Sequence, residues 1–339
     1  MRPSPQSPSH PVVRRGLAGC ERTVDIVVSV YNEEASLPFF HAEATRVVRL
    51  LAAGGVSARI LYVDDGSLDC SAAILDGFAA SDGVEVVHLS RNFGHEAAML
   101  AGLDHATADH VIFLDGDLQH PPAEIPGALA RASEGFDIVL MRRETNTDEG
   151  RLRRGVNSIF YSLLNSIGPL PMEENVSDFF LLSRPVVDVL KREFRERTRF
   201  LRGFVQWVGF RKSVLPYKAS SRVAGVSKYP SWRLLKLARD AVISFSSAPL
   251  RAALIAAAAM LFVSVGVGLV SIVGWMIGSP PSGYTTLILF VTVVAAVQFG
   301  LLAIQGEYIA QLVDEAKGRP LYLVARHTSD ADAREREAA

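Results

Sequence analysis

A long stretch without charge constrains the fold of this chain more than any other feature. Charged residues make up 21% of its 339 residues, yet none of them lies between Ala252 and Gly306. The stretch is broken at GSPPSG, residues 278–283, where paired prolines and flanking glycines interrupt a helix. Each side of the break has the roughly 20 apolar residues that a helix needs to cross a bilayer. The sequence therefore predicts a transmembrane helical hairpin over residues 251–307.

Basic residues near this hairpin predict its orientation. They lie on both of its outer sides, whereas the turn between the two helices carries no charge: Arg233, Lys236, Arg239, Arg251, Lys317 and Arg319. Because cytoplasmic segments next to membrane helices are enriched in Lys and Arg, we expect both ends of the hairpin in the cytoplasm. This makes the chain a multi-pass protein of the inner (cytoplasmic) membrane with both termini cytosolic. The alternative is a pair of long core helices in a soluble protein.

The segments around the hairpin have distinct compositions. Residues 229–250 interleave basic and apolar side chains, which predicts interfacial amphipathic helices in the headgroup plane, although an ordinary surface helix has the same pattern. Residues 1–22 are rich in Pro and Ser and lack the apolar core of a signal peptide, so we expect a disordered tail. Residues 308–339 are expected to form a cytosolic C-terminal tail.

Net charge and cysteine content exclude several function classes. The formal net charge is −1, so no basic field indicates a nucleic-acid partner. The two cysteines, Cys20 and Cys70, are far apart and belong to no Cys/His cluster. This spacing predicts neither a zinc site nor a disulfide framework, and it fits a reducing compartment.

Residues 24–142 alternate short β-rich apolar runs with helix-like stretches, the rhythm of βαβ units in a mostly parallel sheet. Ligands of such sheets bind beyond the carboxyl ends of the strands. Four successive strands are followed there by acidic or amide residues, in YNEE, DDGSLD, SRNFGHE and DGDLQH. Each of these could be a turn or a helix cap, but their repetition at one edge of the sheet indicates a binding site.

The DGD turn is the strongest candidate within this edge. Asp115 and Asp117 directly follow the buried run VIFL, and two carboxylates in one turn can face a single hard cation. An ordinary loop after a strand is the alternative. The chain has neither a GxGxxG after its first strand nor a GxxxxGK[ST] phosphate loop. A nucleotide bound here would therefore need a metal to neutralise its phosphates.

Taken together, these motifs resemble a known family. VVSVYNEE, YVDDGSLD, SRNFGHEAAMLAGLDHA and DGDLQHPP are similar to motifs of the family 2 glycosyltransferases of GT-A fold. The later RFLRGFVQWVGF, AGVSKYP, SFSSAPLR and GEYIAQLVDEAKGRPLYLV narrow the likeness to polyprenyl-phosphate glycosyltransferases, the group of dolichyl-phosphate mannose synthases and bactoprenol glucosyltransferases. The resemblance implies a Rossmann-like GT-A domain over residues 23–228, followed by the membrane hairpin.

The resemblance also implies roles for individual residues. Donor-binding residues would be Tyr31, Asn32, Glu33, Asp64, Asp65 and Asp115. Asp115 and Asp117 would hold Mg²⁺ or Mn²⁺ on the donor diphosphate, with Gln119 as a further oxygen ligand. Asp117 and Asp178 would be catalytic, Asp178 lying near the reacting sugar. The acceptor phosphate would be bound by Arg143 and, with weaker resemblance, by Arg154, Arg202 and Lys228. Two positions depart from the family: Ser29 stands where Pro is common, and His95 where Lys is common.

The implied reaction is inverting transfer of a sugar from a nucleotide-sugar donor to a membrane polyprenyl (undecaprenyl) phosphate. A lipid phosphate is already largely ionised at neutral pH, with a second pKa of about 6, so it needs no general base. UDP-glucose is the expected donor, while GDP-mannose, UDP-GlcNAc and an aminoarabinose donor stay open. We expect a separate flippase, because two helices are too few for a sugar channel. Small residues such as Gly266, Gly268 and Ala295 would permit close helix contacts in a homo-oligomer.

Three other functions remain as alternatives. A processive polysaccharide synthase would need more membrane spans and a QxxRW motif, for which the nearest string here is QWVGF. A non-catalytic membrane-anchored scaffold would need neither the acidic turn nor the basic residues on the acceptor side. A soluble nucleotide-sugar enzyme would bury the C-terminal apolar helices as core.

Overall fold

The computed structural model describes residues 22–144, 173, 176–196, 200–219, 248–277 and 283–328. Several predictions fall on residues outside these ranges. They concern the N-terminal tail up to residue 21, Arg154, Lys228, most of the expected interfacial segment and the turn at 278–282.

The described chain contains an eight-stranded sheet. Its strands are β1 (Arg22–Val30), β2 (Val56–Asp64), β3 (Val84–Leu89), β4 (His110–Asp115), β5 (Ile138–Arg143), β6 (Val176–Ser183), β7 (Lys212–Tyr217) and β8 (Val324–Thr328). Their order across the sheet is β7-β5-β6-β4-β1-β2-β3-β8. The strands β4, β1, β2 and β3 are parallel to one another, and β5 is parallel to β7. The strand β6 pairs antiparallel with β4 and β5, and β8 pairs antiparallel with β3. The predicted mostly parallel α/β sheet is confirmed.

Helices cover both faces of this sheet. The helices of the globular part are α1 (Leu37–Ala53), α2 (Ser71–Phe78), α3 (His95–His105), α4 (Ile125–Ser133), α5 (Arg184–Glu193) and α6 (Leu201–Trp207). Alternate side chains of β1 point to opposite faces, as the two-residue period of a strand requires. Val24, Ile26 and Val28 pack against α1, α2 and α4, whereas Val27 packs with α3, α5 and α6. A strand buried on both faces is apolar at successive positions, which explains the run Ile26, Val27 and Val28.

Two long apolar helices follow, α7 (Ala248–Met276) and α8 (Tyr284–Ala316), and they contact each other. Ile255–Gly274 and Phe290–Ala316 are long and apolar enough to cross a membrane, and neither window is buried in the protein. Large apolar side chains such as Phe262 and Phe299 are 82% and 71% exposed. Because neither window is buried in the described part of the chain, the two helices do not form a protein core there, and their exposed apolar surface indicates membrane association.

The C-terminal region differs from the expected tail. The helix α8 continues past the apolar run to Ala316, because EYIAQLVDEA contains nothing that ends a helix before Gly318 and Pro320. The chain then forms β8, which extends the sheet beside β3. Residues 321–328 are therefore part of the globular domain, and the boundary predicted at residue 308 is wrong for them.

Candidate active site

A cavity of about 600 Å³ lies at the carboxyl ends of β1, β4 and β5. This is the edge where parallel strands place a binding site. Eight of the residues chosen from the sequence line it: Tyr31, Glu33, Asp65, Asp115, Asp117, Gln119, Arg143 and Asp178. Acidic and basic residues from separate sequence motifs thus line the same cavity.

The acidic turn after β4 forms one wall of the cavity. Its middle residue, Gly116, donates its N–H to Ser29 O at 3.1 Å, and its own carbonyl oxygen accepts from Ser36 Oγ at 3.0 Å. A Cβ on Gly116 would lie 3.3 Å from Val30 Cγ2. The turn is therefore packed directly onto β1 and α1, which fixes the backbone that carries both carboxylates.

Asp115 is surrounded by three polar groups. Ser29 Oγ donates to Asp115 Oδ1 at 3.0 Å, and His95 Nε2 lies 3.6 Å from the same oxygen. The backbone N–H of Asp115 donates to His120 Nδ1 at 3.1 Å. Because this nitrogen accepts, the proton of a neutral His120 ring belongs on Nε2. Hydrogen bonds thus fix both the backbone N–H and the carboxylate of Asp115, so the carboxylate has a defined orientation.

Asp117 interacts with Gln119 in the same turn. Asp117 Oδ1 accepts from the backbone N–H of Gln119 at 3.0 Å, and Oδ2 accepts from Gln119 Nε2. The side-chain oxygen of Gln119 accepts from Arg143 Nη1 at 3.3 Å. An amide NH₂ is not a metal ligand, so this arrangement does not present Gln119 as the expected third oxygen ligand. Gln119 instead connects the acidic turn to Arg143.

Asp178, on β6, is paired with Arg202, on α6. Arg202 Nε and Nη2 donate to the two carboxylate oxygens of Asp178 at 2.9 and 2.6 Å, and Nη1 donates to Val176 O at 3.0 Å. In the described part of the chain, Arg202 does not line the cavity. The prediction that Arg202 binds the acceptor phosphate does not fit, since its guanidinium faces Asp178 and β6. Burial would raise the pKa of Asp178, but Arg202 and His95 hold it well below its usual range.

His95, at the start of α3, joins the two acidic sites. Its Nε2 lies 3.5 Å from Asp178 Oδ2 and 3.6 Å from Asp115 Oδ1, and its Nδ1 lies 3.1 Å from Ser29 Oγ. Burial alone would lower the pKa of His95, yet the Asp115 and Asp178 carboxylates raise it to about 10. Ser29 donates to Asp115, so its oxygen can accept from a protonated Nδ1. The geometry therefore favours an imidazolium ion between the two carboxylates.

Asp65 shapes the opposite end of the cavity. It is almost fully buried, and its two oxygens accept from the backbone N–H groups of Phe93 and Gly94 at 2.7 and 2.9 Å. Burial raises the pKa of Asp65, although these two bonds act in the other direction. Asp65 thus ties the end of β2 to the loop that leads into α3.

Two other residues predicted to contact the donor, Asp64 and Asn32, bind neighbouring loops instead. Asp64 is 3% exposed, and its carboxylate accepts from Ser67 N at 2.9 Å and faces His88 Nδ1 at 2.9 Å. Asn32 Oδ1 accepts from Leu68 N at 2.8 Å, and its own N–H donates to Ser67 Oγ at 3.1 Å. Among the described residues, neither of the two lines the cavity. Their side chains connect two loops, so direct contact with a donor does not fit this geometry.

Comparison with known proteins identifies the family. The model of the glycosyl transferase family 2 matches residues 25–190. The SfII prophage-derived bactoprenol glucosyl transferase of Shigella flexneri is 36% identical over 312 residues, covering 89% of this chain and 97% of that protein. The chain belongs to glycosyl transferase family 2. The predicted family and enzyme class are confirmed.

Two further similarities complete the comparison. A prophage bactoprenol glucosyl transferase homolog of Escherichia coli (strain K12) is 35% identical to this family 2 glycosyltransferase over 314 residues, covering 89% of this chain and 98% of the other. Among solved structures, glucosyl-3-phosphoglycerate synthase from Mycobacterium tuberculosis in complex with Mn²⁺, UDP-glucose and phosphoglyceric acid matches with a TM-score of 0.44 and 20% identity. That match covers 66% of this chain and 78% of the synthase.

Some cavity residues of this family 2 glycosyltransferase were not predicted from its sequence. His120 is 5% exposed, stacks on Phe179 and meets the edge of Tyr217. Tyr217 ends β7, and its hydroxyl donates to Ser177 Oγ at 3.1 Å. The position of Tyr217 at a strand end was a usable signal. The sequence contains no such signal for His120, because a histidine shortly after a turn is as common on a protein surface as in a binding site.

The donor set of the acidic turn fits a hard divalent cation. Asp115 and Asp117 face one cavity and offer carboxylate oxygens, the ligand type that Mg²⁺ and Mn²⁺ prefer. Among the described residues there is no group of three or more His, Cys, Asp or Glu side chains arranged for a metal. Mg²⁺ is commonly bound by one or two carboxylates together with substrate phosphates and water, so two carboxylates from the protein are sufficient.

Proposed function

We propose that this glycosyltransferase transfers a hexose from a nucleotide-sugar donor to a membrane polyprenyl phosphate, with UDP-glucose as the donor. The observation that carries the proposal is the meeting of the acidic turn, Asp178 and Arg143 around one cavity, in a chain with two apolar helices. The names of the Shigella flexneri and Escherichia coli relatives support a bactoprenol acceptor and a glucosyl group. Both relatives match over nearly their whole length.

The donor would occupy the part of the cavity between the first two strands and the acidic turn. Tyr31 is 41% exposed there and offers a flat surface to a nucleoside, while Glu33 and Asp65 offer acceptors to its polar groups. Asp115 and Asp117 would hold Mg²⁺ or Mn²⁺ at the diphosphate. The chemistry that such an ion supplies when bound is Lewis-acid stabilisation of negative charge on the departing nucleotide.

The acceptor would approach from the side of Arg143. A phosphate monoester is ionised at neutral pH, so the nucleophile needs positioning and charge compensation but no general base. Arg143 is an exposed guanidinium at the end of β5, suited to bind phosphate oxygens. Asp178, kept ionised by Arg202, lines the same cavity and would stabilise positive charge on an oxocarbenium-like anomeric carbon. A single in-line displacement on an α-linked donor would give a β-linked lipid phosphate sugar.

The membrane arrangement follows from the same chemistry. A polyprenyl phosphate keeps its headgroup at the membrane surface, and nucleotide sugars are cytosolic. We propose that α7 and α8 cross the inner membrane with the catalytic domain and both termini in the cytosol, in line with the flanking basic residues. Use of the sugar on the other side would then require a separate flippase.

A transfer assay tests this proposal. The full chain, purified in detergent, is incubated with undecaprenyl phosphate and radiolabelled UDP-glucose, GDP-mannose or UDP-GlcNAc, with and without EDTA. We expect label in the lipid fraction from UDP-glucose and a loss of roughly 100-fold or more on chelation. Transfer from another donor would replace the glucose assignment alone. No transfer from any donor, or full activity after complete demetallation, would overturn the mechanism.

A pair of variants makes this test specific to the acidic turn. Asp117→Ala removes a cavity carboxylate and should reduce transfer by roughly 100-fold. Asp188→Ala is the matched control, because Asp188 is 47% exposed on α5 and forms a surface pair with Arg184. The control should retain full activity, and an Asp117→Ala enzyme as active as this control would refute the metal role.

A further inference from the structure

The C-terminal strand carries a residue with contacts that its surface position does not require. The strand β8 pairs antiparallel with β3, in a register that places Arg326 opposite His88. Opposed residues of an antiparallel pair lie on the same face of the sheet and are close enough for side-chain contact. Arg326 therefore reaches from the last strand toward the interior of the domain.

Arg326 belongs to a partly buried polar cluster. Its Nη2 lies 2.7 Å from Asp76 Oδ2 and 3.3 Å from His88 Nε2. His88 is 5% exposed, and its Nδ1 lies 2.9 Å from Asp64 Oδ2. An ionised Asp64 can only accept, so the proton of this bond belongs to His88 Nδ1. The cluster thus runs from the C-terminal strand through His88 to the end of β2.

Asp64 connects His88 to two loops near the proposed donor site, the 65–67 turn and the 31–33 loop. One of its oxygens faces His88, and the other accepts from the backbone N–H of Ser67. Ser67 Oγ accepts in turn from the backbone N–H of Asn32, the neighbour of the cavity residue Tyr31. Burial would raise the pKa of Asp64, but the bonds from His88 and Ser67 keep it below its ordinary value. The acceptor that holds the 65–67 turn is therefore a charged one.

A second contact of the C-terminal segment reaches the same end of the cavity. Leu323 O accepts from the backbone N–H of Ser90 at 2.8 Å, at the start of the loop that leads to α3. That loop supplies the Phe93 and Gly94 N–H groups that bind Asp65. Tyr322 adds a hydrogen bond from its hydroxyl to Asp104 Oδ2 at 2.7 Å, near the other end of α3. Residues 321–328 thus contact the loop that precedes α3 directly, and they reach the 65–67 turn through His88 and Asp64.

We propose that Arg326 is a positioning residue for the donor. Through His88 and Asp64 it holds the 65–67 turn and the 31–33 loop in the arrangement that receives the nucleoside of a nucleotide-sugar. This inference rests on the proposed function, since it assigns the donor to that end of the cavity. It makes the segment that follows the second apolar helix a part of the donor site, although no residue of that segment lines the described cavity.

Steady-state kinetics of the full chain in detergent test this role. Arg326→Met removes the bonds to Asp76 and His88, and we expect the KM for UDP-glucose to rise roughly tenfold, as for loss of a charge-assisted hydrogen bond. The kcat and the KM for undecaprenyl phosphate should stay within about twofold, because the acceptor side is untouched. Arg326→Lys keeps the charge and should recover most of the donor KM. Calorimetric binding of UDP should weaken in parallel with the KM.

The control variant is Arg131→Met, which removes an exposed guanidinium paired only on the surface with Glu134. It should leave both KM values unchanged. A merely structural role of Arg326 would lower the active fraction, and hence kcat, without raising the donor KM. That result, or an unchanged donor KM in Arg326→Met, would overturn the inference while leaving the proposed function intact.

Two outcomes need separate readouts. If Arg326→Met does not fold, Asp76→Asn carries the test because Asp76 pairs with Arg326, and an unchanged donor KM in that variant would overturn the inference. If the wild-type protein transfers no sugar from any donor, the proposed function and this inference fall together. Wild-type transfer from UDP-glucose with normal Arg326→Met kinetics removes only the inference.

Discussion

Charged side chains around the cavity differ in whether they face it or neutralise one another. Arg143 lines the cavity, whereas Arg202 is turned toward Asp178 and Val176. Removing one partner of a buried ion pair leaves the other uncompensated, which costs far more than the pair contributes as a whole. The two arginines should therefore respond differently to the same substitution.

Arg202→Met should destabilise the fold by about 1–3 kcal/mol, because the partly buried Asp178 carboxylate keeps His95 as its one remaining cationic partner among the described residues. Thermal unfolding in detergent measures this loss. The acceptor KM of the folded fraction should remain within about twofold of wild type. A normal melting temperature with a raised acceptor KM would restore the sequence-based prediction that Arg202 binds the phosphate.

Arg143→Met should have the opposite effect to Arg202→Met, with normal stability and impaired acceptor binding. Its side chain is exposed, so its loss should change the melting temperature little. If Arg143 binds the acceptor, the KM for undecaprenyl phosphate should rise by roughly tenfold or more, while the KM for UDP-glucose stays near wild type. Unchanged acceptor kinetics would remove Arg143 from the proposed site.

Residues adjacent in sequence were the predictable part of the site. Asp115 and Asp117 follow a buried strand directly, so a sequence pattern places both at the sheet edge. The Asp178–Arg202 pair joins β6 to α6, and its geometry depends on how that helix docks. Likewise, the sequence does not reveal that Asp64 faces His88 whereas the adjacent Asp65 lines the cavity. Such differences arise from tertiary contacts that local patterns do not contain.

At the scale of elements, α3 links the site to the core. It begins with His95 at the cavity and is buried along most of its length. It is one of the helix-like stretches that the sequence predicts between β-rich runs, as observed. In contrast, β8 was missed, because VARHT lacks an apolar alternation and is mostly exposed. Only its pairing with β3 makes this segment a strand.

Gly102 tests how closely α3 packs on the sheet. A Cβ at this position would lie 2.2 Å from Val27 Cγ1 and 3.3 Å from Val63 Cγ2, so Gly102→Ala must displace the helix or the strand. We expect destabilisation of about 1–3 kcal/mol, together with reduced transfer because His95 moves with α3. Gly77→Ala is the control, since a Cβ there meets nothing within 4 Å. It should be neutral or slightly stabilising, by up to about 1 kcal/mol. Equal melting temperatures for the two variants would contradict the tight contact.

On the scale of the whole molecule, a catalytic sheet and a pair of apolar helices are connected at both ends of the helical pair. In sequence, the sheet strand β7 precedes α7, and the sheet strand β8 follows α8. Because β7 and β8 belong to one sheet, these two strands must lie on the same side of any membrane that both helices cross. The domain and β8 are thereby confined to one compartment, and the proposed cytosolic donor makes that compartment the cytosol.

Cysteine labelling checks this arrangement. Cys70 is exposed on the globular domain, and Cys20→Ser with Ser282→Cys places a second thiol in the turn between the helices. In intact spheroplasts, a membrane-impermeant maleimide should label Cys70 only after lysis, whereas the Ser282→Cys variant should gain label before lysis.

The Cys20→Ser protein with Ser282 retained is the matched control for labelling at Cys70 alone. Labelling of Cys70 in intact spheroplasts would place the catalytic domain outside, away from cytosolic nucleotide sugars. Because β7 and β8 belong to one sheet, that outcome would also invert the orientation indicated by the flanking basic residues.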